Sequence, residues 1–130
     1  MKILVGYDQS EASKAALQVA LEHAEAFKAK VHIVQSLIQN RDLSREDIQR
    51  VETRMASLER TVKAKKVSCE VHTKVSAHTP GESLLEFAAE NDITEIFIGV
   101  RRRSRVGKLL LGSNAQFIIL KAACPVVAVK

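Results

Sequence analysis

The chain has 130 residues, of which 46% are hydrophobic and 27% charged, and its formal net charge is +5 at pH 7. This length and composition are typical of one globular domain with a core of its own. No apolar run is long enough to cross a bilayer, and the opening MKILVGYD lacks the features of a signal peptide. We therefore expect a cytoplasmic protein that forms one domain over residues 1–130.

The first part of the chain alternates between apolar and amphipathic segments. The short run Lys2–Val5 and the longer run Val31–Leu37 are predicted strands. Ser10 is predicted to cap the helix between them, because its hydroxyl can accept a hydrogen bond from a free N–H group of the first turn. Ser44 is predicted to open a second helix, with Asp47 completing a variant of the capping box.

The second predicted helix carries an apolar stripe with alternating steps of three and four residues. Its members are Ile48, Val51, Met55, Leu58 and Val62. Such a stripe fits either a helix that packs on a sheet or a coiled coil. We expect the stripe to face the core, because it is too short for a stable coiled coil.

The segment Cys69–Val75 alternates apolar and polar side chains, as edge strands with one solvated face do. It is followed by the clearest helix start in the chain. Thr79 is the predicted cap, Pro80 lies in the first turn, and Glu82 completes a T-x-x-E box.

The last part of the chain repeats the alternation. Glu95–Val100 and Pro125–Val129 are predicted strands, and a helix is predicted to start near Ser113 between them. Because strands and helices alternate throughout, we expect an α/β fold with a single doubly wound parallel sheet, right-handed crossovers and helices on both faces.

A basic loop with three glycines, GVRRRSRVGKLLLGS over residues 99–113, joins the fourth strand to the last helix. A helix start has unpaired N–H groups and the positive end of the helix dipole, so this position favours an anion such as phosphate. The loop does not match a Walker A sequence, which would need glycine at Arg102 and a hydroxyl residue at Leu109. Taken alone, the loop fits a solvated basic connection equally well.

In doubly wound sheets, ligands bind beyond the carboxyl ends of the strands, where the strand order reverses. The segments expected there are Gly6-Tyr7-Asp8 after the first strand, Gln35-Ser36 after the second, and the basic loop. An acid, small polar groups and a basic loop in one crevice favour a nucleotide as the ligand.

Together these features resemble the universal stress protein family over the whole chain. The resemblance rests on the opening ILVGYDQSEAS, the closing CPVVAVK and the loop. In the loop, Gly99, Gly112 and Ser113 fall on the frame G-x2-G-x9-G-[ST] of the ATP-binding members, while Arg102 replaces the second glycine. The resemblance implies an adenine nucleotide alpha hydrolase-like fold with sheet order 3-2-1-4-5 and four helices, and a homodimer formed through the C-terminal strand.

The resemblance also implies the ligand and its contacts. Asp8 would lie near the adenosine, Gly6 and Ser36 on the adenine side, and the loop around the phosphates. The ligand would be ATP or another adenine nucleotide, with Mg²⁺ as a candidate companion ion. The predicted contacts are Gly6, Tyr7, Asp8, Ser36, Gly99, Val100, Arg101, Arg102, Arg103, Ser104, Gly107, Gly112, Ser113 and Asn114.

Two of these contacts have a structural alternative. Asp8 could cap the first helix instead of contacting a ligand, and Ser113 could cap the last helix as well as bind phosphate. Asp8 is also the single candidate general base in the expected crevice. One carboxylate without a recognisable nucleophile is too little for enzyme chemistry, so no catalytic residue is predicted.

The histidines and cysteines show no metal-ligand spacing, so no metal site is predicted. His32 and His72 fall on neighbouring predicted strands, where they are expected to be solvated surface residues. Cys69 and Cys124 are expected to be reduced, partly buried thiols.

Three functions fit these observations. The favoured one is a nucleotide-binding regulatory module with little or no catalysis. Slow ATP hydrolysis is compatible with this function. The alternative is a nucleotide-independent stress-response or adaptor dimer, in which the Arg-rich loop binds a protein partner or an anion. Nucleic-acid binding is disfavoured, because the basic run has no aromatic residues on which bases could stack.

Overall fold

The computed structural model describes residues 1–100 and 111–130. Within these residues, five strands alternate with four helices. In chain order they are β1 (Lys2–Gly6), α1 (Glu11–Phe27), β2 (Lys30–Ile38), α2 (Arg45–Ala64), β3 (Cys69–Ser76), α3 (Pro80–Glu90), β4 (Glu95–Gly99), α4 (Ser113–Lys121) and β5 (Val126–Val129).

The strands form one parallel sheet in the order β3-β2-β1-β4-β5. Helices α1 and α2 cover one face, where Val5 and Phe97 are fully buried. Helices α3 and α4 cover the other face, where Leu4 and Ile96 are fully buried. The predicted fold and strand order are thus confirmed. Across the described part of the chain, no helix combines the length and hydropathy needed to cross a bilayer.

The predicted helix starts are confirmed by the caps that the structure shows. Ser10 Oγ accepts a hydrogen bond from an N–H group in the first turn of α1 at 3.1 Å. Ser44 and Asp47 exchange two hydrogen bonds of 3.0 Å at the start of α2. Thr79 and Glu82 form the same capping box at the start of α3.

The apolar stripe of α2 faces the core as predicted, although its members are not buried equally. Met55 and Val62 are each 1% exposed. Val51 and Leu58 are partly buried and pack against the same core, while Ile48 is half-buried.

Two details of the predicted elements are wrong. β2 continues to Ile38, because it pairs with β3 as far as Ser76, so Gln35 and Ser36 lie within the strand and not after it. The cap of α4 is Gly112, and Ser113 is the first helical residue. The predicted capping role of Ser113 is therefore wrong.

The prediction that His32 and His72 are solvated surface residues is also wrong. His32 is 4% exposed, and its Nδ1 atom lies 3.2 Å from His72 Nε2. Both rings pack against Phe87 of α3, at centroid distances of 5.5 and 4.7 Å. The alternation of β3 correctly indicated an edge strand, but it did not show that α3 covers part of this face.

Both cysteines are free thiols, and the prediction that they are partly buried is confirmed for Cys124 but not for Cys69. Cys69 is buried and Cys124 is half-buried. Burial, reinforced by the Glu59 carboxylate, raises the pKa of the Cys69 thiol to about 11. Cys69 is therefore a neutral core thiol at pH 7.

Candidate functional site

A cleft of about 180 Å³ opens at the carboxyl ends of β1 and β4. The strand order reverses between these two strands, which is where doubly wound sheets bind ligands. The described lining combines glycines and small polar groups with apolar side chains. It consists of Gly6, Tyr7, Asp8, Ser10, Ser13, Val34, Ser36, Pro80, Leu84, Ile98, Gly99, Asn114, Ala115 and Ile118.

The turn between β1 and α1 holds Asp8 at the rim of the cleft. The Asp8 Oδ1 atom accepts a hydrogen bond from the Ser10 N–H at 3.0 Å, and the Asp8 N–H donates to Ser13 Oγ at 3.3 Å. Gln9 has a left-handed φ of 69°, which closes the turn. Since Ser10 is the cap of α1, the alternative role of Asp8 as that cap is wrong. Asp8 is exposed, so its carboxylate can also meet a ligand.

Ser36 is the most informative polar residue of the cleft. Its Oγ atom is buried, and no described residue supplies a hydrogen-bond partner for it. The neighbouring Gln35 points to the other face of β2, where its Oε1 atom accepts a hydrogen bond from Gln9 Nε2 at 3.1 Å. A buried polar group without a partner costs about 1–3 kcal/mol, so Ser36 is suited to a ligand or a water that can pair with it.

Gly99 is required by packing between two elements. A Cβ atom there would lie 2.3 Å from the carbonyl carbon and oxygen of Ala12 and 2.7 Å from the Ser13 nitrogen. The first turn of α1 thus approaches the end of β4 more closely than a side chain would allow. Gly6 has looser surroundings, since its Cβ would meet the flexible end of Leu84 at 2.9 Å.

The start of α4 lies beside the cleft through Asn114, which is part of the lining. Asn114 Oδ1 accepts a hydrogen bond from the Gly81 N–H at 3.0 Å, which ties α4 to the start of α3. Gly112 and Ser113 precede Asn114 at the N-terminus of α4, and neither is part of the lining. The N–H groups of a first helical turn lack partners within the helix, and they favour an anion.

The structure brings together six of the predicted contacts, which all line the cleft: Gly6, Tyr7, Asp8, Ser36, Gly99 and Asn114. Tyr7 is also part of the core, and its burial raises the pKa of the phenol. Val100 is not part of the lining; it is 5% exposed, and its N–H donates to the Val129 carbonyl at 2.7 Å. Five further predicted contacts lie outside the described residues: Arg101, Arg102, Arg103, Ser104 and Gly107.

Sequence reasoning missed the apolar part of the lining. Val34, Leu84, Ile98 and Ile118 were predicted only as strand or helix residues, and each lines the cleft. One signal was available, because side chains two positions apart on a strand share a face. Val34 could therefore have been placed beside Ser36.

The fold and this cleft define a class: doubly wound α/β domains with a ligand cleft at the point where the strand order reverses. The chain belongs to the universal stress protein family, whose family model matches residues 1–130. The chain is also similar to a universal stress protein from Thermus aquaticus, with 29% identity over 137 aligned residues. That alignment covers 98% of this chain and 97% of the relative.

Two solved structures of universal stress proteins from Archaeoglobus fulgidus are similar to this one. The first has a TM-score of 0.87 and 33% identity, and the match covers 100% of this chain and 98% of that chain. The second was solved in complex with dAMP. Its TM-score is 0.81 at 29% identity, with the same coverage of both chains.

Proposed function

We propose that the protein is a regulatory module that binds an adenine nucleotide in the strand-end cleft, with little or no turnover. The observation that carries this proposal is the buried Ser36 hydroxyl, which faces the cleft without a partner among the described residues. The dAMP complex of the Archaeoglobus fulgidus protein supports the nucleotide class.

The chemistry of the lining suggests how the nucleotide would bind. Val34, Leu84 and Ile98 would flank the apolar faces of the base, and Ser36 would pair with a polar atom at its edge. The exposed Asp8 carboxylate would accept hydrogen bonds from ribose hydroxyls. The phosphates would lie at the start of α4, where the helix dipole and the free N–H groups favour negative charge.

The same lining supports binding rather than turnover. Asp8 is the one carboxylate among the described residues that line the cleft, and no histidine is among them. ATP with Mg²⁺ is one proposed ligand, and ADP and AMP are the others. In each case the residues named above would hold the base and the ribose.

We also propose that the protein acts as a homodimer that signals its nucleotide state to a protein partner. Among the described strands, β5 lies at an edge of the sheet and pairs with β4 alone. An unpaired edge of apolar residues is normally covered. An adaptor dimer that does not bind nucleotides would use the same β5 interface. The two proposed functions therefore differ in whether the cleft binds a nucleotide, and not in how the dimer forms.

Replacement of the unpaired hydroxyl tests the proposal. Ser36→Ala removes a buried group that lacks a partner in the described structure, so the free energy of unfolding should be unchanged or slightly higher. The same change should weaken AMP binding, measured by calorimetric titration, by about 2- to 12-fold, which corresponds to one neutral hydrogen bond of about 0.5–1.5 kcal/mol. Ser57→Ala, at an exposed position on α2, is the matched control. Equal AMP affinity of Ser36→Ala and the parent protein would contradict the proposed position of the base.

A further inference from the structure

Three side chains that can ligate a metal converge on one face of the sheet, at its β3 edge. In the parallel register of β2 and β3, His32 lies opposite Glu70, and Val34 lies opposite His72. Since Glu70 and His72 are two positions apart, their side chains share the face to which His32 also points. Residues from two neighbouring strands thus form one cluster of three potential metal ligands.

The three ligand atoms form a nearly equilateral triangle. His32 Nδ1 is 3.2 Å from His72 Nε2, and each of these nitrogens is 3.5 Å from the same oxygen, Glu70 Oε2. Tetrahedral zinc sites have metal–ligand distances of about 2.0–2.1 Å, which place neighbouring ligand atoms about 3.3 Å apart. The triangle therefore has the dimensions of one face of a zinc tetrahedron.

The surroundings hold the three side chains in place. The Phe87 ring packs against both imidazoles, which limits their rotation. Lys30 Nζ lies 2.8 Å from Glu70 Oε1, so it fixes the carboxylate through the oxygen that is not part of the triangle. Bonds of this kind from outside a metal site orient its ligands.

Burial and neighbouring charges shift the pKa of all three side chains. Burial lowers the pKa of both imidazoles, although the Glu70 carboxylate opposes this effect. The Lys30 ammonium lowers the pKa of Glu70.

We propose that His32, Glu70 and His72 bind a divalent transition-metal cation of the zinc class. His32 closes the inner side of the site, with its side chain 5% exposed, whereas His72 and Glu70 have side-chain exposures of 28% and 47%. The outer side is therefore accessible to a water molecule as a fourth ligand. Two histidines, one carboxylate and a water form a recurring zinc ligand set.

This site is independent of the proposed nucleotide cleft. None of its three ligands is part of the cleft lining, and β3 is the edge of the sheet on the far side of β2 from β1. A competing description is a hydrogen-bonded triad, in which one imidazole N–H donates to the other ring. The two descriptions differ in whether the cluster binds a metal with a defined stoichiometry.

The test is a calorimetric titration of chelator-treated protein with Zn²⁺ at pH 7, followed by the visible spectrum of the Co²⁺-loaded protein. We expect one equivalent of Zn²⁺ per chain. A tetrahedral Co²⁺ spectrum without a thiolate charge-transfer band would exclude ligation by Cys69 or Cys124. His72→Gln and Glu70→Gln should each weaken Zn²⁺ binding by at least about tenfold, since even changes outside the ligand shell cost about 10- to 100-fold.

His78→Gln is the matched control, because His78 is an exposed histidine 3.8 Å from the Glu82 carboxylate. It should bind Zn²⁺ as the parent does. Glu70 is half-exposed, so Glu70→Gln should fold even if His72→Gln does not. The proposal is overturned if the parent shows no saturable Zn²⁺ binding, or if Glu70→Gln binds as tightly as the parent. It is also overturned if His78→Gln alone loses the metal.

Discussion

At the residue scale, the glycines of the cleft differ in what they do for the fold. Gly99 lies against the backbone of Ala12, which cannot move aside as a side chain could. Gly112 has no described atom within 4 Å of its added Cβ position. In the sequence, both glycines belong to the same motif frame. The structure shows that Gly99 is required for packing, whereas Gly112 has open space beside it that a ligand could fill.

Gly99→Ala should therefore destabilise the protein more than Gly112→Ala does. We expect Gly99→Ala to lower the free energy of unfolding by about 1–3 kcal/mol or more, as overpacked sites do. The matched change Gly112→Ala should cost at most about 1 kcal/mol, because it meets no described atom and only replaces glycine by the less favourable alanine at the N-cap of α4. Urea denaturation measures both values, and equal stability of the two variants would contradict this account of Gly99.

At the element scale, the residues of the α2 stripe are expected to contribute unequally to the stability of the fold. Met55 is 1% exposed, whereas Leu58 is only partly buried. Met55→Ala should cost about 2–5 kcal/mol, the usual range for truncation of a buried side chain. Leu58→Ala should cost less, because part of its surface already meets water. Thermal or urea unfolding of the two variants measures both free energies of unfolding. A larger decrease for Leu58→Ala than for Met55→Ala would contradict the deeper burial of Met55.

The sequence predicted the elements well where local chemistry determines them. The capping residues Ser10, Ser44 and Thr79 identified three helix starts, because each needs only its own first turn. Gln35 and Ser36 were placed after β2 and not within it, because the full extent of this strand depends on pairing with β3, a partner distant in sequence. The buried position of His32 was missed for the same reason, since α3 covers it.

In the cleft, too, residues placed by the local sequence were predicted, and residues placed by contacts between distant elements were not. Gly6, Asp8 and Ser36 were predicted from their positions at or near strand ends, and they do line one cleft. Leu84 and Ile118 were not, because they come from helices whose inward faces depend on how α3 and α4 pack together. Whether the lining contacts a nucleotide stays a prediction.

At the scale of the whole molecule, the two edges of the sheet differ. On β3, the Val71 N–H donates to the Glu59 carboxylate of α2 at 3.1 Å, so α2 covers part of that edge. Among the described residues, no side-chain hydrogen bond of this kind covers β5. Ile119 and Leu120 of the preceding helix are 40% and 76% exposed, which adds apolar surface. Protection of one edge and not the other favours pairing through β5.

Ala128→Asp tests the proposed dimer. Ala128 is exposed, whereas its neighbour Val127 packs against the core, so a charge at Ala128 should spare the fold. We expect the parent to be a dimer by light scattering and Ala128→Asp to be a monomer, while Ala56→Asp on the exposed side of α2 stays dimeric. A parent that is already monomeric at micromolar concentration would show that β5 is not the interface.

The most direct test of nucleotide binding is a calorimetric titration of ATP, ADP and AMP against the parent, Arg102→Gly and Gly112→Val. We expect saturable binding by the parent. Gly112→Val should lose at least about tenfold in affinity, since a side chain there would occupy the space that the phosphates need, although its Cβ would meet no described atom of the fold. Arg102→Gly should change the affinity only modestly, because two opposing effects are of similar size. Loss of a guanidinium that pairs with phosphate weakens binding, and relief of backbone strain by glycine strengthens it, each by about 1–3 kcal/mol. Failure of the parent to bind ATP, ADP or AMP would contradict the account. Binding by Arg102→Gly alone would show that Arg102 closes the site, and it would favour the adaptor dimer.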